Sequence, residues 1–534
     1  MRILIAAALA ACTRPTPDPG PGKFHFDVKS AGGSVPNAYE LVAAREAPFR
    51  LEVTLHNGEE QWLYERLDYA KSHRIPLLGL GADTTWTATA SMTLEDGSIY
   101  DTKPLEFTTP SLPLDFPILQ ELTGSDAPLQ NGYLLFDVKS VAKSVNYRVA
   151  LDANLEVAWW QEDTNECTDI RMLPDGYVLG VCNLLATETN LLGETREKTA
   201  ITDPNADEED SALQMHHELF PLERGGFLTL HAEQVDVPQF PVSAEEPEEL
   251  APATIRADRV LLTDSDYQLI RSWSLADILP TQRIGYGSVS KGINDPVHDW
   301  SHANGVIQDP ADNGIIVSIR HQDALVKLTN SGNLKWILAN PSGWPEEWLP
   351  FLLSNPDNAP YPFHQHAPEI DEEGRLWIFD NGNNRSTPYD DAGPEEEYSR
   401  VVAYEIDEEN MAFREVLAFD QSADGRLFSA ALGDADWLPH IGSVLSVWGR
   451  VPGETDWSKP LSSTTNTRAR IMIHAPEFDE PAMDLEISGC LCDEETFRQE
   501  HRGWKVYRAE WLPRLYPLGT EPTRGPYTAD SGIE

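Results

Sequence analysis

The chain has 534 residues, and its 87 acidic side chains outnumber 40 basic ones, which gives a formal net charge of −47. This length is enough for two or three domains. A phosphate backbone would repel so negative a surface, so the charge argues against nucleic acid as a partner and favours solubility, including in salty surroundings.

Residues 1–23 have the composition of a processing segment. A short apolar run ends in "LAAC", which resembles the lipobox of bacterial lipoproteins with Cys12 as the lipidated residue. The run is too short to span a bilayer, and the Pro- and Gly-rich residues after it suit an extended tether. We expect a lipid-anchored protein at the periplasmic face of a bacterial membrane, the outer membrane being favoured because Thr13 offers no acidic retention signal. The alternative is a cysteine that follows an apolar N-terminus by chance.

Residues 24–112 are predicted to form a small all-β domain. The stretch "TTWTATASMTLEDGSIYDTKPLEFTTP" alternates apolar and polar residues, turns at Glu95-Asp96-Gly97 and alternates again. This pattern resembles the last two strands of a fibronectin type III or immunoglobulin-like β-sandwich. Such domains usually space or hold other domains, so no chemistry is assigned to this one.

Four further cysteines suggest disulfides in an exported chain. Cys167 and Cys182 flank "MLPDGYVLGV", a predicted hairpin across which the two side chains could meet. Cys490 and Cys492 are too close for an easy bridge to each other, and both could pair elsewhere. The sequence leaves three connectivities open. A metal site is less favoured because no histidine has zinc-ligand spacing to either pair.

Residues 113–534 show a repeated four-strand unit. Five segments share the form of a strand, a turn ending in Gly and a second strand: "CTDIRMLPDGYVLGVC", "MHHELFPLERGGFLTLHAE", "HANGVIQDPADNGIIVSIR", "HQHAPEIDEEGRLWIFDNG" and "ALGDADWLPHIGSVLSVWG". Four strands at this spacing are typical of β-propeller blades. "GWKVYRAEWLPRLYPL" and "NGYLLFDVKSVAKSVNYRVALD" could close another blade. The sequence therefore predicts a six-bladed β-propeller, with seven or eight blades as the alternative.

The first strand of each blade lines the central channel, so equivalent positions should converge. Counting back from the turn glycines gives five polar residues at the axis: Thr168, His217, Asn304, His366 and Asp434. Two residues earlier, on the same strand face, lie His302 and His364. Arg320 ends a return strand at the same mouth, and the loop with Arg385 could add a second cation.

Several imidazoles with a guanidinium and an amide suit a tetrahedral oxyanion. A histidine can also act as a nucleophile that accepts a transferable group. A metal is the rival ligand, but Arg320 at the same mouth would repel a cation. For each histidine taken singly the alternative is a hydrogen-bonded structural residue, and for Arg320 it is a salt bridge between blades.

The pieces "MHHELFPL", "LKWILANPSGWP", "HQHAPEI", "LWIFDNGNNR" and "YSRVVAYEID" resemble the bacterial arylsulfate sulfotransferases that need no phosphoadenosine phosphosulfate. The resemblance covers most of residues 210–450. It implies periplasmic six-bladed propellers that move a sulfuryl group between phenols by a ping-pong route through a sulfated histidine, with no cofactor and no metal. The partners would be a phenolic sulfate donor and a phenol acceptor, and a homodimer is possible.

The resemblance also assigns residues. The Gln-His motif matches Gln365-His366 and makes His366 the nucleophile, with His364 as the second candidate. The H-x-N and Ser-x-Arg motifs make His302, Asn304 and Arg320 ligands of the sulfuryl oxygens. The His-His motif matches His216-His217, of which His217 is expected in the channel, for binding or proton transfer. His216, His364, Arg385 and Ser429 are expected to contribute to substrate binding.

The sequence leaves two other functions open. One is a catalytically inactive lipoprotein that binds a sulfated or phenolic ligand, and the other is a hydrolase that passes the sulfuryl group to water. A phenol pocket should be aromatic, and its candidates, all of which could equally pack the blades, are Trp300, Trp344, Trp348, Phe363 and Trp437.

Overall fold

The structure is a computed structural model that describes residues 24–124, 132–142, 145–163, 167–207, 211–291, 296–452, 467–493 and 496–527. The predicted lipidation site Cys12 lies outside these residues. The chain divides into two compact units, one of 1–111 with 516–534 and one of 112–515. No helix in the described part of the chain is both long enough and apolar enough to cross a bilayer.

The first unit is one continuous sheet that is organised by a 22-residue strand, Val35–His56. This strand pairs with His25–Gly32 in its first half and with Thr85–Leu94 in its second, and it pairs with Glu60–Leu77 over both. Three shorter strands complete the sheet in its described part: Ile99–Asp101, Leu105–Thr108 and Thr523–Pro526. The alternating sequence buries one face, where the rings of Trp62 and Trp86 lie 4.9 Å apart.

The predicted domain limits need one correction at the C-terminal end. The sequence placed all of 113–534 in the propeller, but Thr523–Pro526 pairs with Glu60–Leu77 of the first unit. The pairing is antiparallel at the edge of the sheet, where an added strand can satisfy unpaired backbone groups. The last segment of the chain therefore belongs to the first unit.

The described residues of the second unit form six small sheets in a ring, which is a six-bladed β-propeller, as predicted. We number the blades in chain order and give their strands from the channel outwards. Blade 1 consists of Trp504–Leu512, Tyr133–Ser140, Asn146–Leu151 and Val157–Asp163. Blade 2 consists of Cys167–Met172, Tyr177–Cys182, Leu185–Asn190 and Thr195–Thr199. Blade 3 consists of His216–Pro221, Phe227–Pro241, Leu250–Thr263 and Leu269–Ser274.

The remaining blades follow the same plan. Blade 4 consists of Ala303–Gln308, Ile315–Ile319, Ala324–Leu328 and Leu334–Ala339. Blade 5 consists of His366–Ile370, Leu376–Asp380, Arg400–Asp407 and Ala412–Phe419. Blade 6 consists of Asp434–Leu438, Ser443–Pro452, Thr467–His474, Met483–Ser488 and an outermost strand Ile118–Gly124.

Minor elements connect the blades. The short strands are Ile201–Thr202 with Ala212–Leu213, Gln421–Ser422 with Gly425–Arg426, and His298–Asp299 beside blade 3. The helical turns are Leu275–Ile278, Arg320–Gln322, Leu349–Phe351 and Phe497–His501. Apolar residues from adjacent blades pack between them, as in the cluster that joins Leu230 of blade 3 with Val306 of blade 4.

The ring is closed by both ends of the propeller sequence. Trp504–Leu512 is the innermost strand of blade 1, where it pairs with Tyr133–Ser140. The strand Ile118–Gly124 pairs with Met483–Ser488 at the outer edge of blade 6. The prediction that "GWKVYRAEWLPRLYPL" closes a sixth blade with "NGYLLFD" is confirmed, and the closing strand places Tyr507 and Arg508 at the channel.

The one cysteine pair that the sequence predicted is confirmed, and the other two cysteines, whose partners the sequence left open, form a second pair. Cys167 and Cys182 are directly opposite in blade 2 and form a disulfide, as expected for the hairpin. Cys490 and Cys492 form a disulfide with each other, whereas the sequence argument favoured other partners. The chain bends at these residues, and their Cα atoms lie 5.1 Å apart, within the usual range for a disulfide.

Candidate active site

The inner strands are irregular at the places where the predicted residues lie. Pairing shifts occur at Thr168/Ile170, His216/Leu219, Ala303/Gly305, His366/Glu369 and Val506/Ala509. His217 has a φ of 63° and Ala367 a φ of 49°, in the left-handed region. His302, directly before its strand, has a φ of 46°, and His364, two residues before its strand, has a φ of 54°. Such bulges redirect side chains, and here they occur in blade after blade around one channel.

His366 is buried and is held by an amide. Its Nδ1 lies 2.6 Å from Oδ1 of Asn381. The Asn381 Nδ2 group donates to the carbonyl oxygens of Ser429 at 2.7 Å and Leu432 at 2.8 Å. Because the NH₂ group faces two acceptors, Oδ1 faces the ring and can only accept. His366 therefore carries its proton on Nδ1 and has a lone pair on Nε2.

The surroundings keep the His366 ring neutral. Burial, together with the positive charge of Arg320, holds the pKa of His366 well below its usual range. Among the described residues, Nε2 of His366 has no hydrogen-bond partner. A neutral imidazole with an uncommitted ring nitrogen is the form that can attack an electrophile.

Arg320 is oriented by the next residue, His321. The His321 Nδ1–H donates to the carbonyl of Asp299 at 2.6 Å, so its Nε2 accepts from Nη1 of Arg320 at 2.7 Å. Nη2 of Arg320 donates to the carbonyl of Ala430 at 3.1 Å. Burial lowers the pKa of Arg320 to about 10, which leaves the guanidinium charged at neutral pH.

His302 lies beside this arginine. Its Nδ1 is 2.6 Å from Oδ2 of Asp299, and its ring is 4.5 Å from that of His321. The ring of His302 also lies 5.4 Å from the ring of His217 on blade 3. The structure thus brings together His217, His302, Arg320 and His366, the four residues for which the sequence predicted catalytic roles.

His217 is linked through His216 to a buried carboxylate. The two histidines face each other with their Nδ1 atoms 2.7 Å apart, and Nε2 of His216 lies 3.1 Å from Oδ1 of Asp258. Burial and the neighbouring His216, His302 and His366 hold the pKa of His217 well below its usual range. A pocket of about 420 Å³ opens beside these rings, lined also by Thr168, Val181, Asn183 and Leu184.

His364 and Asn304 have clear local partners. Nδ1 and the backbone N–H of His364 both lie 2.8 Å from Oδ1 of Asp323, a residue of αL conformation that follows the helical turn with Arg320. Nδ2 of Asn304 donates to the carbonyl of Gln365 at 2.8 Å. Asn304 thus supports the backbone directly before His366, and its predicted contact with substrate remains a prediction.

Arg385 and Ser429 occupy scaffold positions. Arg385 donates to the carbonyl of Tyr398, lies 3.3 Å from Asp380 and stacks on the Tyr398 ring at 3.5 Å. The Ser429 hydroxyl lies between the carbonyl of Ala431 at 3.4 Å and the backbone N–H of Arg450 at 3.1 Å. Both side chains have their hydrogen-bond partners within the protein. The described contacts therefore do not support the substrate-binding roles that the sequence predicted for them.

The closing strand adds charge that balances Asp434. Arg508 lies 2.9 Å from Asp169 and 2.8 Å from Glu218, and its Nε is 3.9 Å from Asp434. Burial and the nearby Asp436 raise the pKa of Asp434. The axial aspartate that the sequence identified is therefore part of a network across four inner strands.

Tyr507 precedes this arginine and is 3% exposed. Its ring lies 6.0 Å from that of His217. Its hydroxyl is buried and has no hydrogen-bond partner in the described part of the chain. A buried polar group without a partner is unusual enough to suggest that a ligand or water supplies one.

The aromatic residues that the sequence offered for a phenol pocket are packed elsewhere. Trp300, Trp344 and Phe363 are buried, and the indole N–H of Trp300 donates to the carbonyl of Arg283 at 2.9 Å. The ring of Trp437 stacks on Trp377 at 5.4 Å, and Trp348 donates to the carbonyl of Ile278 at 3.1 Å. These contacts support the alternative of blade packing.

In two groups of side chains the donor atoms lie close enough together to bind one metal ion. Donor atoms of Asp299, His302 and His321 lie within 4.8 Å of one another, as do those of Cys490, Cys492 and His501. Both nitrogens of His321 are already used, one by the Asp299 carbonyl and one by Arg320. A cation there would have to displace the guanidinium, so the arrangement suits an anion better.

Several residues of this site were missed by sequence reasoning. Asn381, His321, Asp299 and Asp258 each orient a predicted residue, and Tyr507 and Arg508 lie on the closing strand. Asn381 belongs to "FDNGNNR" and His321 directly follows Arg320, so the motifs contained both without indicating their partners. Asp258 lies on the third strand of its blade, whereas the spacing from the turn glycines identified channel positions only on first strands.

Fold and site together define a β-propeller whose channel holds several histidines and a buried arginine. Residues 121–490 match the arylsulfotransferase (ASST) family, and the chain belongs to that family. Over 208 residues it is 29% identical to "Arylsulfate sulfotransferase AssT" of Escherichia coli O6:H1, covering 30% of this chain and 34% of that protein. Over 129 residues it is 34% identical to the AssT of Lelliottia amnigena, covering 21% of each. The chain thus spans about a third or less of the length of these relatives.

Solved structures show weaker likenesses. A Bacteroides caccae protein of unknown function has a TM-score of 0.37 at 11% identity, over 71% of this chain and 99% of that one. Virginiamycin B lyase from Staphylococcus aureus has a TM-score of 0.30 at 10% identity, over 88% and 100%. The propeller assignment rests on the strand pairing of this chain and not on these scores.

Proposed function

We propose that this protein transfers a sulfuryl group from a phenolic sulfate ester to a phenol, in two steps through a sulfated His366. The observation that carries the proposal is the Asn381–His366 contact, which leaves a neutral, buried imidazole with Nε2 free beside Arg320. Family membership supports sulfuryl transfer between aryl groups, and the geometry supports the choice of nucleophile.

In the first step Nε2 of His366 attacks sulfur. The S–O bond to the donor breaks, the N–S bond forms, and the phenolate leaves with the electron pair. Arg320 and His302 are placed to bind the sulfuryl oxygens, where negative charge shifts as the bonds change. In the second step the acceptor oxygen attacks sulfur, and the electron pair of the N–S bond returns to the ring.

The amide partner suits a reversible sulfohistidine. Asn381 accepts the Nδ1–H bond but cannot remove the proton, so the sulfated ring stays an imidazolium and remains a good leaving group. His364 is instead paired with the carboxylate of Asp323, which would draw the proton and stabilise the ring against departure. This difference favours His366 over His364.

The test is release of 4-nitrophenol from 4-nitrophenyl sulfate, with and without added phenol. We expect release that rises with phenol and is lost in His366→Ala, while His231→Ala, a partly exposed histidine of blade 3, keeps wild-type rates. Mass spectrometry at neutral pH should find a sulfuryl adduct on His366 when the acceptor is omitted. A rate of 4-nitrophenol release that does not depend on phenol would instead show that the protein is a hydrolase. No release from folded protein would favour an inactive protein that only binds its ligand.

An exported, lipid-anchored location at Cys12 is part of this proposal. The Cys167–Cys182 disulfide supports it, because structural disulfides are typical of oxidising compartments. Labelling of growing cells with a fatty-acid analogue, with Cys12→Ala as control, would test the anchor.

A further inference from the structure

We propose that Asp258 and His216 are positioning residues that make His217 the base for the acceptor phenol. The inference rests on the proposed function and extends it, since neither the family match nor the two relatives assign a role to Asp258 or to the His216–His217 contact. It is carried by a chain of three side chains that leads from a buried carboxylate to the channel.

The carboxylate is fixed between two blades. Asp258 lies on the third strand of blade 3 and is 3% exposed. Its Oδ2 accepts from the Ser301 hydroxyl at 2.7 Å and from the Ala303 backbone N–H at 2.5 Å, both at the entry to blade 4. Its other oxygen is left for His216, 3.1 Å away.

This carboxylate is ionised despite its burial. Burial raises the pKa of Asp258, but the contacts with His216, Ala303 and Ser301 outweigh burial and lower it below its ordinary value. The 3.1 Å approach of Oδ1 to Nε2 of His216 is an electrostatic contact and not an aligned hydrogen bond, and the negative carboxylate favours a hydrogen on that nearest nitrogen.

The tautomer of the second ring then follows. In the arrangement we propose, His216 holds a single ring hydrogen, on Nε2 towards Asp258, and its bare Nδ1 lies 2.7 Å from Nδ1 of His217. His217 must therefore donate from Nδ1 and carry its lone pair on Nε2. The Asp258 carboxylate thus determines, through His216, that the unprotonated nitrogen of His217 is Nε2. In the same way, the hydrogen bond at one ring nitrogen generally decides whether the other nitrogen carries a proton.

The position of His217 suits the acceptor step. The ring of His217 lies 5.4 Å from that of His302, and the 420 Å³ pocket beside it is lined by Val181 and Leu184, which offer apolar surface to a phenol. When the acceptor oxygen attacks sulfur, its proton passes to Nε2 of His217. The resulting imidazolium shares its Nδ1 proton with His216, and Asp258 supplies the countercharge.

The variant Asp258→Asn would reverse both tautomers. The new amide can still accept from Ser301 and Ala303, but it turns an NH₂ group towards His216. His216 would then accept at Nε2 and donate from Nδ1, which forces the His217 proton onto Nε2 and removes the base.

The experiment separates the two half-reactions. Enzyme is first loaded with 4-nitrophenyl sulfate, and the burst of 4-nitrophenolate is recorded. The loaded enzyme is then mixed with phenol, which is un-ionised at neutral pH, or with pentafluorophenol, which is ionised and needs no base. The sulfated product is quantified by chromatography.

We expect Asp258→Asn and His216→Phe to keep the burst and to slow transfer to phenol by about 100-fold, with transfer to pentafluorophenol changed by less than about threefold. Asp236→Asn, an exposed aspartate on the same blade, should match wild type in both transfers.

The outcomes are distinct. The inference would be overturned if transfer to both acceptors slowed equally, if neither transfer slowed, or if both variants lost the burst. Each of these results would show that Asp258 and His216 do not act on the acceptor proton. Absence of a burst in the wild-type protein would instead overturn the proposed function.

Discussion

The chemistry of each partner decides which nitrogen of a channel histidine is free. His366 is held by an amide, His217 by a second histidine, and His302 by the carboxylate of Asp299. All three contacts use Nδ1 and leave Nε2 uncommitted, but an amide, an imidazole and a carboxylate differ in how well they stabilise a positive charge on the ring. The residues that differ are the partners, which lie outside the motifs.

Asn381→Asp tests this dependence at His366. A carboxylate at this place would favour the charged imidazolium and raise the pKa of His366, so the ring would be protonated and unable to attack at pH values where the wild-type ring is neutral. We expect the acid limb of the rate profile for 4-nitrophenyl sulfate to move to higher pH. Asn333→Asp, in an exposed turn of blade 4, should leave the profile in place. An unchanged profile in Asn381→Asp would show that Asn381 does not control the ring.

A second buried histidine gives a prediction about stability. His474 is fully buried on the third strand of blade 6, with its ring 5.1 Å from that of Phe419. Neither ring nitrogen has a hydrogen-bond partner among the described residues, and burial lowers the pKa of His474 to about 3. The unfolded chain takes up a proton below about pH 6.5 that the folded protein does not. Stability is therefore lost as the pH falls.

We expect His474→Leu to remove this part of the pH dependence. Between pH 6.5 and 5 the wild-type free energy of unfolding should fall by about 2 kcal/mol more than that of the variant, from one proton over the interval. Urea unfolding of both proteins at pH 8, 6.5 and 5 gives these free energies, and the values at pH 8, where the histidine is neutral in both states, serve as the reference. Parallel pH dependence in the two proteins would contradict the neutral state of His474.

At the scale of elements, the closing strand Trp504–Leu512 supplies the channel with a tyrosine hydroxyl and an arginine. It lies beyond residue 490, where the family match ends. The pairing shift between Val506 and Ala509 places Tyr507 and Arg508 in the same kind of bulge as the residues of the other blades. A strand that is needed to close the ring therefore also completes the site.

Tyr507→Phe separates stability from function. The hydroxyl is buried without a described partner, so its removal should leave the free energy of unfolding unchanged or raise it by up to about 1 kcal/mol. If the hydroxyl donates to bound substrate, kcat/KM for 4-nitrophenyl sulfate should fall by about tenfold, from one lost hydrogen bond. Unfolding in urea and initial rates measure the two effects. Lower stability with unchanged rates would show that the hydroxyl has a structural partner.

Much of this architecture could be predicted from the sequence, because turn glycines and strand alternation repeat in each blade. The same repetition placed His217, Asn304 and His366 on inner strands. Asp258, by contrast, lies on a third strand, where two hydrogen bonds to the next blade hold it and His216 connects it to the channel. Pairing across blades has no sequence period, so neither Asp258 nor the C-terminal strand Thr523–Pro526 could be assigned by pattern.

The loop "DNGNNR" shows how local sequence and tertiary contacts combine. Asp380 accepts from Arg400 at 2.7 Å and from the Phe363 backbone at 2.9 Å, and Asn381 holds His366. Gly382 has a φ of 72°, and a side chain there would collide with the carbonyl of Tyr398. The polar run therefore holds His366, the proposed nucleophile, although its sequence resembles an ordinary turn.

At the scale of the whole molecule, the charge outside and the charge at the site are opposed. The chain carries a formal charge of −47, whereas the site presents Arg320 and neutral histidines. The proposed substrate, an anionic aryl sulfate, would approach through a negative field, which salt screens. We therefore expect KM for 4-nitrophenyl sulfate to decrease as sodium chloride rises from about 0.05 to 0.5 M, with kcat little changed. Initial rates across the series check this, and a KM that rises with salt would show local attraction at the mouth.

The same charge predicts that salt stabilises the fold. Like charges at this density repel more strongly in the compact state than in the expanded chain, and the Debye length shortens from about 10 Å at 0.1 M salt to about 3 Å at 1 M. Buried pairs such as Arg470 with Asp484 are shielded from solvent and lose little. We expect Tm to rise with sodium or potassium chloride alike, mostly below about 0.5 M, where screening changes fastest. A Tm that stays flat or falls over this range would show that surface ion pairs, which salt weakens, outweigh the net repulsion.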